Sequence, residues 1–352
     1  MTELVGLTLD ELETTAAGLG EPRYRGRQLA HWIYQHRAGT FEEMTDLPRA
    51  FRDRLARLAT LTRLRVLRRV DSSHDLTAKF LLGLADGATI EAVLMRYEDG
   101  RRTVCVSTQV GCGMGCTFCA TGLAGLVRNL TAGEIVDQVL AISEETGERP
   151  THVVFMGMGE PLANYAATLR AVRLLNAPVG PRIAMRRMTI STVGLVPQIR
   201  RLAQERLQLT LAISLHAPTD DLRAQLVPVN RRWPIVQLLE AAREYADLTG
   251  RRVTFEYVLM AGVNDRDEHA RTLGGLLAGW GTHVNVIPWN PVYGLQYRRP
   301  PVDAVRRFVG LLRERGVPAT VRIDRGVDID AACGQLQRTH AEGLQSAGSL
   351  RA

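Results

Sequence analysis

Cys112-Gly113-Met114-Gly115-Cys116-Thr117-Phe118-Cys119 sets three thiols at Cys-x-x-x-Cys-x-x-Cys spacing. Gly111, Gly113 and Gly115 let so short a loop fold back on itself without Cβ clashes. Thiolates are the usual protein ligands of iron–sulfur clusters, and a four-iron cluster normally takes four of them. A run that supplies three would leave one iron open to a small molecule. Zinc fits less well, because structural zinc usually takes four ligands in two paired knuckles. Cys105 could be a fourth ligand, but no second Cys-x-x-Cys accompanies the run. A disulfide framework is disfavoured by the length of the chain and by an amino terminus without a secretory layout. The only other cysteine is Cys333, and so few thiols, mostly clustered, point to chemistry.

Further polar groups fall where a positioning scaffold would present them. Gly157-Met158-Gly159-Glu160-Pro161 follows the strand-like run His152 to Met156. Ser191, Ser214 and His216 stand at the ends of the runs Met188 to Thr192 and Thr210 to Leu215, and Asn290 follows His283 to Pro288. Val253 to Leu259 and Ala319 to Ile323 also read as strands. Helical patterns lie between several of them, at Tyr165 to Leu175, Ile235 to Thr249 and Val302 to Arg315. Thr131-Ala132-Gly133-Glu134 is a capping box that opens another helix. Strands separated by helices predict a parallel sheet with helical crossovers, a β/α barrel, full or partial. In such barrels reactive groups collect at the carboxyl ends of the strands, where these residues lie. Each alone reads as a satisfied polar group; together they would line one mouth.

Two further segments precede the barrel. Leu7 to Thr60 reads as helical, with patterns from Asp10 and over Tyr24 to His36, and a break at Pro48. Arg23, Arg25, Arg27, His31, His36 and Arg37 concentrate there, as a solvated helix face or as an RNA-contacting surface. Thr77 to Leu82 and Ala88 to Met95 read as strands with turns at Asp86-Gly87 and Asp99-Gly100, a small antiparallel extension carrying Glu91. The expected division is a helical accessory domain over 1–62, a β extension over 63–102, the barrel over 103–345 and a tail over 346–352. The net charge is +7, and of 44 basic residues Lys79 is the only lysine. Arginine forks onto phosphate and stacks on bases, so the charge is compatible with nucleic acid, although codon bias would also enrich it. No apolar run is long enough to cross a bilayer, and a cytoplasmic setting without a membrane partner is expected.

The cysteine run resembles that of the radical S-adenosylmethionine (SAM) enzymes. Cys105 to Gly111, Arg128-Asn129-Leu130, Phe155 to Pro161, Ser214-Leu215-His216 and Asp328 to Gly334 narrow the resemblance to the ribosomal RNA adenine methyltransferases of the RlmN/Cfr type. It spans almost the whole chain. The resemblance implies a partial radical-SAM barrel with an amino-terminal RNA-binding domain. It implies a [4Fe–4S] cluster on Cys112, Cys116 and Cys119, and SAM contacts from Gly159, Glu160, Ser191, Ser214, Leu215, His216 and Asn290. Two SAM molecules serve each turnover. The resemblance implies that Cys333 takes a methyl group from the first and that the radical from the second removes hydrogen from that S-methyl, which then adds to the adenine ring. It likewise implies that Cys105 resolves the adduct, ending in a disulfide, with Glu91 as the expected proton acceptor. The implied partners are 23S rRNA near the peptidyl-transferase region, tRNA as a second substrate, and an electron donor such as flavodoxin or ferredoxin; the chain is expected to be a monomer.

Within that family the methylated carbon is C2 or C8. Gly159-Glu160-Pro161 and Arg325-Gly326 resemble the C2 enzymes; the alternative is C8 methylation of the same adenosine, which confers antibiotic resistance. A reading of another class is a non-catalytic, metal-stabilised RNA-binding protein, with zinc on the thiols and an inert barrel mouth.

Overall fold

The computed structural model describes residues 1–336. The amino-terminal segment comprises β1 (Thr2–Glu3), α1 (Leu9–Gly18), α2 (Tyr24–Tyr34), α3 (Arg49–Leu58) and β2 (Ala59–Thr60), with β1 and β2 paired in parallel. Thr8 caps α1 in a reciprocal box with Glu11, which satisfies amides that the first helical turn leaves open. Gly26 is needed where α2 crosses α1, because a Cβ there would lie 2.4 Å from the Glu13 backbone. The basic stretch on α2 is largely neutralised within the segment. Arg23 pairs with Asp10 and Glu13, Arg27 with Glu13, and Arg25 with Glu21. Several of these side chains remain exposed despite the pairing.

Next come β3 (Arg65–Asp71), β4 (Thr77–Gly83) and β5 (Thr89–Arg96), an antiparallel meander, and β6 (Arg102–Cys105), antiparallel to β5. β3 is charged and exposed along most of its length. β7 (Gln109–Gly111) and β8 (Leu126–Asn129) form a separate small hairpin around the cysteine run and α4 (Ala120–Leu123).

The chain then alternates: α5 (Ala132–Thr146), β9 (His152–Phe155), α6 (Tyr165–Asn176), β10 (Met188–Thr192), α7 (Val196–Gln204), β11 (Thr210–Ser214), α8 (Asp220–Leu226), α9 (Ile235–Thr249), β12 (Val253–Leu259), α10 (Asp267–Leu277), β13 (His283–Pro288), α11 (Val302–Glu314) and β14 (Ala319–Val321). Among the described residues the main sheet runs β14-β13-β12-β11-β10-β9-β6-β5-β4-β3, parallel from β14 to β6 and antiparallel from β6 to β3. The barrel is thus partial, with β14 unpaired to β6. The segment after β14 crosses the mouth and brings Cys333 into one chamber with Cys105 at the end of β6.

That segment is held by the β extension. Asp328 accepts from the Ser72 hydroxyl (2.8 Å) and from the Ser73 amide (2.9 Å), and Gly326 donates its amide to Asp75 (2.8 Å). Lys79 reaches the Asp330 carbonyl at 3.2 Å. On the barrel side, the Ala120 amide donates to the Gly334 carbonyl at 2.8 Å. The tail expected over 346–352 lies outside the described residues, as does the end of the expected barrel.

Candidate active site

The cysteine loop is shaped by backbone crowding. Gly111 has φ +78°, and a Cβ there would fall 1.9 Å from the Gly125 carbonyl oxygen across the β7–β8 hairpin. Cys112, Cys116 and Cys119 are free thiols lining one cavity of about 950 Å³, open at its mouth. Burial pushes Cys112 up to about 11 and Cys116 and Cys119 up as well, so each sulfur stays protonated until a cation compensates it. Among the described residues no three His, Cys, Asp or Glu side chains gather tightly enough for a single metal ion. Three soft thiols sharing one cavity are a donor set that fits an iron–sulfur cluster.

The same cavity is lined by Gly159, Glu160, Ser191, Ser214, His216 and Asn290. Glu160 is 2% exposed and forms no ion pair among the described residues. It accepts from the Val193 amide (2.8 Å) and the Leu162 amide (2.9 Å), yet burial raises it to about 7. A buried carboxyl without a counter-ion beside three thiols favours a cationic ligand. His216 has φ +60°, unusual for a residue with a side chain. Its Nδ1 accepts from the Val258 amide at 3.0 Å and its ring meets Phe118 edge-on, 4.8 Å between centroids. Burial lowers it to about 3, so the imidazole is neutral. Leu215 is buried and donates its amide to the Glu256 carbonyl; it lies beneath the cavity wall, not on it.

Gly157 and Gly159 prove to be required by the neighbouring chain. A Cβ on Gly157 would come 2.7 Å from the Val106 carbonyl, and one on Gly159 2.6 Å from the Gln109 side chain. They allow the loop after β9 to lie flat against 106–109.

A second chamber of about 1430 Å³ adjoins the first. It is lined by Cys105, Tyr97, Arg325 and Asn285, and it shares Cys119, Met156, Asn290, Arg322 and Cys333 with the cluster cavity. Cys333 therefore stands in the common wall. Its carbonyl accepts from Asn290 at 3.4 Å. Cys105 is buried and pushed up to about 12, chiefly by burial and next by Cys333. All five cysteines are free, so the expected disulfide is not a standing link in this structure.

Glu91 is not the surface carboxylate that a strand residue would be. It is 4% exposed, and its Oε1 lies 3.1 Å from the ammonium of Lys79. It shares a face of β5 with Val93 and Met95, which line the second chamber, but it is not itself in that lining.

Two residues carry the site without any distinguishing mark in the sequence. Arg223, 0% exposed, donates to the carbonyls of Val193 (2.6 Å), Ser214 (2.9 Å) and Leu215 (3.0 Å) and to Asn230 (2.8 Å), tying together the ends of β10 and β11. Arg322 lines both chambers and is held charged by Cys333 first and by Glu256, 3.9 Å away. Neither stands out among so many arginines.

An open parallel sheet with a three-cysteine loop after its first barrel strand defines a class. Residues 106–273 match the radical SAM superfamily, and residues 2–61 match the ribosomal RNA large subunit methyltransferase N-terminal domain. The chain is 54% identical to a probable dual-specificity RNA methyltransferase RlmN from Moorella thermoacetica, over 97% of this chain and 99% of that one. It is 47% identical to the like-named protein of Gloeobacter violaceus, over 100% and 99%. A crystal structure of a radical SAM methyltransferase from Sphaerobacter thermophilus superposes with a TM-score of 0.91 at 54% identity, covering 96% of this chain and 99% of that one. The chain belongs to the RlmN family of radical SAM RNA methyltransferases.

Proposed function

We propose that this enzyme methylates C2 of an adenosine in 23S rRNA, near the peptidyl-transferase region, and C2 of an adenosine in tRNA. The observation that carries the reading is the position of Cys333, in the wall between the chamber of three cysteines and the chamber of Cys105. A thiol there can take a methyl group on one side and present it on the other. The dual specificity in the relatives' names supports two RNA substrates, and the C8 alternative is not favoured by those names.

Cys112, Cys116 and Cys119 would hold a [4Fe–4S] cluster, which supplies an electron for reductive cleavage of SAM and hence radical chemistry. Glu160 offers its buried carboxylate to the cationic end of SAM, and Gly159, Ser191, Ser214, His216 and Asn290 shape the remaining contacts, with Leu215 fixing the backbone beneath. Cys333 accepts the methyl group as a thioether. Cys105 would bond to the Cys333 sulfur as the carbon–sulfur bond to the RNA breaks, releasing the RNA and leaving a disulfide that a two-electron thiol reductant must reopen. Glu91, anchored by Lys79, is the candidate proton acceptor. A flavodoxin or ferredoxin would deliver electrons to a monomer working in the reducing cytoplasm. No helix among the described residues is long and apolar enough to cross a membrane.

Anaerobically reconstituted protein should bind iron, release 5′-deoxyadenosine under reduction and yield 2-methyladenosine in digested RNA. Cys105→Ser should accumulate a covalent protein–RNA species, and Cys333→Ser should lose methyl transfer while still binding iron. Mass analysis showing 8-methyladenosine, or full activity in either variant, would refute the assignment.

A further inference from the structure

A basic cleft opens off the thiol chamber. It is lined by Tyr97, Arg101, His152, Arg186, Arg187 and Arg322, and it shares Tyr97, Arg101 and Arg322 with the chamber that holds Cys105 and Cys333. Arg23, Arg25 and Arg27 are engaged by carboxylates within the helical segment, and Arg322 in the cleft faces Glu256. Arg101, Arg186 and Arg187 make no ion pair among the described residues. The nearby carboxylate of Asp99 accepts from the Arg101 amide instead, at 3.0 Å. Arg101 stacks its guanidinium 3.7 Å from the Tyr97 centroid, and Arg325 stacks on the same ring at 4.2 Å. The uncompensated charge is felt locally: Arg187 and Arg101 add to burial in lowering His152.

We propose that this cleft holds the RNA backbone beside the target adenosine, with Arg101, Arg186 and Arg187 each facing phosphodiester oxygens. The proposal rests on the RNA methyltransferase reading and names the contacts that reading leaves open. Arg102 and Cys105 mark the two ends of β6. Arg101, which lines the cleft, lies one residue before that strand, so about 13 Å of extended backbone separates it from Cys105. Arginine forks match phosphate oxygens in pairs. An acidic electron-donor protein would also be drawn to positive charge. The concave shape, and the direct opening onto the thiol chamber that the base must enter, favour the nucleic acid.

The test is a salt series of RNA binding by cluster-loaded enzyme, using an RNA hairpin that the wild type methylates. For single-stranded contacts the log–log salt slope changes by about 0.7 for each phosphate neutralised. Arg186→Gln/Arg187→Gln should flatten the slope by about 1.4 and weaken binding about tenfold at physiological salt. The KM for RNA should rise, whereas Cys333 self-methylation without RNA should be unchanged. Arg186→Lys/Arg187→Lys, which keeps the charge, should restore most of the slope. An unmoved slope and KM in the glutamine pair would overturn the proposal. So would normal RNA binding with SAM cleavage slowed under flavodoxin but not under dithionite, which would assign the cleft to the electron donor. If the wild type methylates no RNA, the functional reading fails instead; a methylating wild type with an unmoved slope fails this inference alone.

Discussion

Two buried groups in the cluster cavity titrate in opposite senses. His216 falls from 6.5 to about 3 on folding because burial disfavours its charged form. Its contribution to stability is full above 6.5 and is lost as pH falls from there toward 3, since the unfolded chain takes a proton that the folded one refuses. Glu160 rises from 4.5 to about 7. Its contribution is full below 4.5 and is lost as pH rises through about 7. Between 4.5 and 6.5 the two slopes oppose one another, so the cluster-free protein should show little net pH dependence from this pair. By proton NMR the His216 ring should not titrate between about pH 8 and about pH 5. A normal midpoint near 6.5 would show that the ring is solvated and the cavity more open than described. At this scale the sequence was informative for sulfur and uninformative for arginine. Five cysteines in a long chain are conspicuous, and all five line one of the two chambers. Arg223 and Arg322 are as central, but 44 basic residues offer no contrast against which to see them.

Elements were legible where period and chemistry agreed. Met188–Thr192, Val253–Leu259, His283–Pro288 and the helix Ile235–Thr249 have the ends their residues predict, because β-branched runs and a helical apolar stripe are each bounded by breaks. The capping box at Thr131 forms as read. β3 was not legible, since Arg65-Val66-Leu67-Arg68-Arg69-Val70-Asp71 lacks clean alternation and its pairing with β4 carries a register shift. The β7–β8 hairpin was hidden because each strand is too short to show a period. Yet that hairpin holds the cysteine loop. Gly111→Ala would drive a methyl group into the Gly125 carbonyl at a positive φ. The variant should fold, since the hairpin lies outside the main sheet, but should lose most of its iron on reconstitution. Iron content equal to wild type would mean that the close approach relaxes at no cost to the site.

Across the whole molecule, a buried carboxylate stands among the contacts that join the helical segment to the barrel, beside Gln35 on the Val179 and Gly180 carbonyls and Arg170 on Gly6 and Glu11. Asp137 on α5 is 1% exposed and accepts from Arg37 (3.1 Å), Arg63 (3.1 Å) and the Leu64 amide (2.7 Å), all from the chain that precedes the barrel. Removing one partner of a buried ion pair typically costs about 3–5 kcal/mol, because the other charges stay behind in low dielectric. Asp137→Ala should lower the unfolding free energy measured in urea by that order and loosen the amino-terminal helices first, which limited proteolysis would detect. A loss below about 1 kcal/mol would mean that water takes the place of the carboxylate. The continuous sheet has a consequence of its own. Among the described residues no strand pairs with β3 on its outer side, and an open margin can recruit a foreign strand and seed fibres. Arg65 and Arg68 stand along that margin, while Arg69 is paired with Asp71, so like charge on two approaching copies opposes such pairing through the side chains of the strand that was hardest to read.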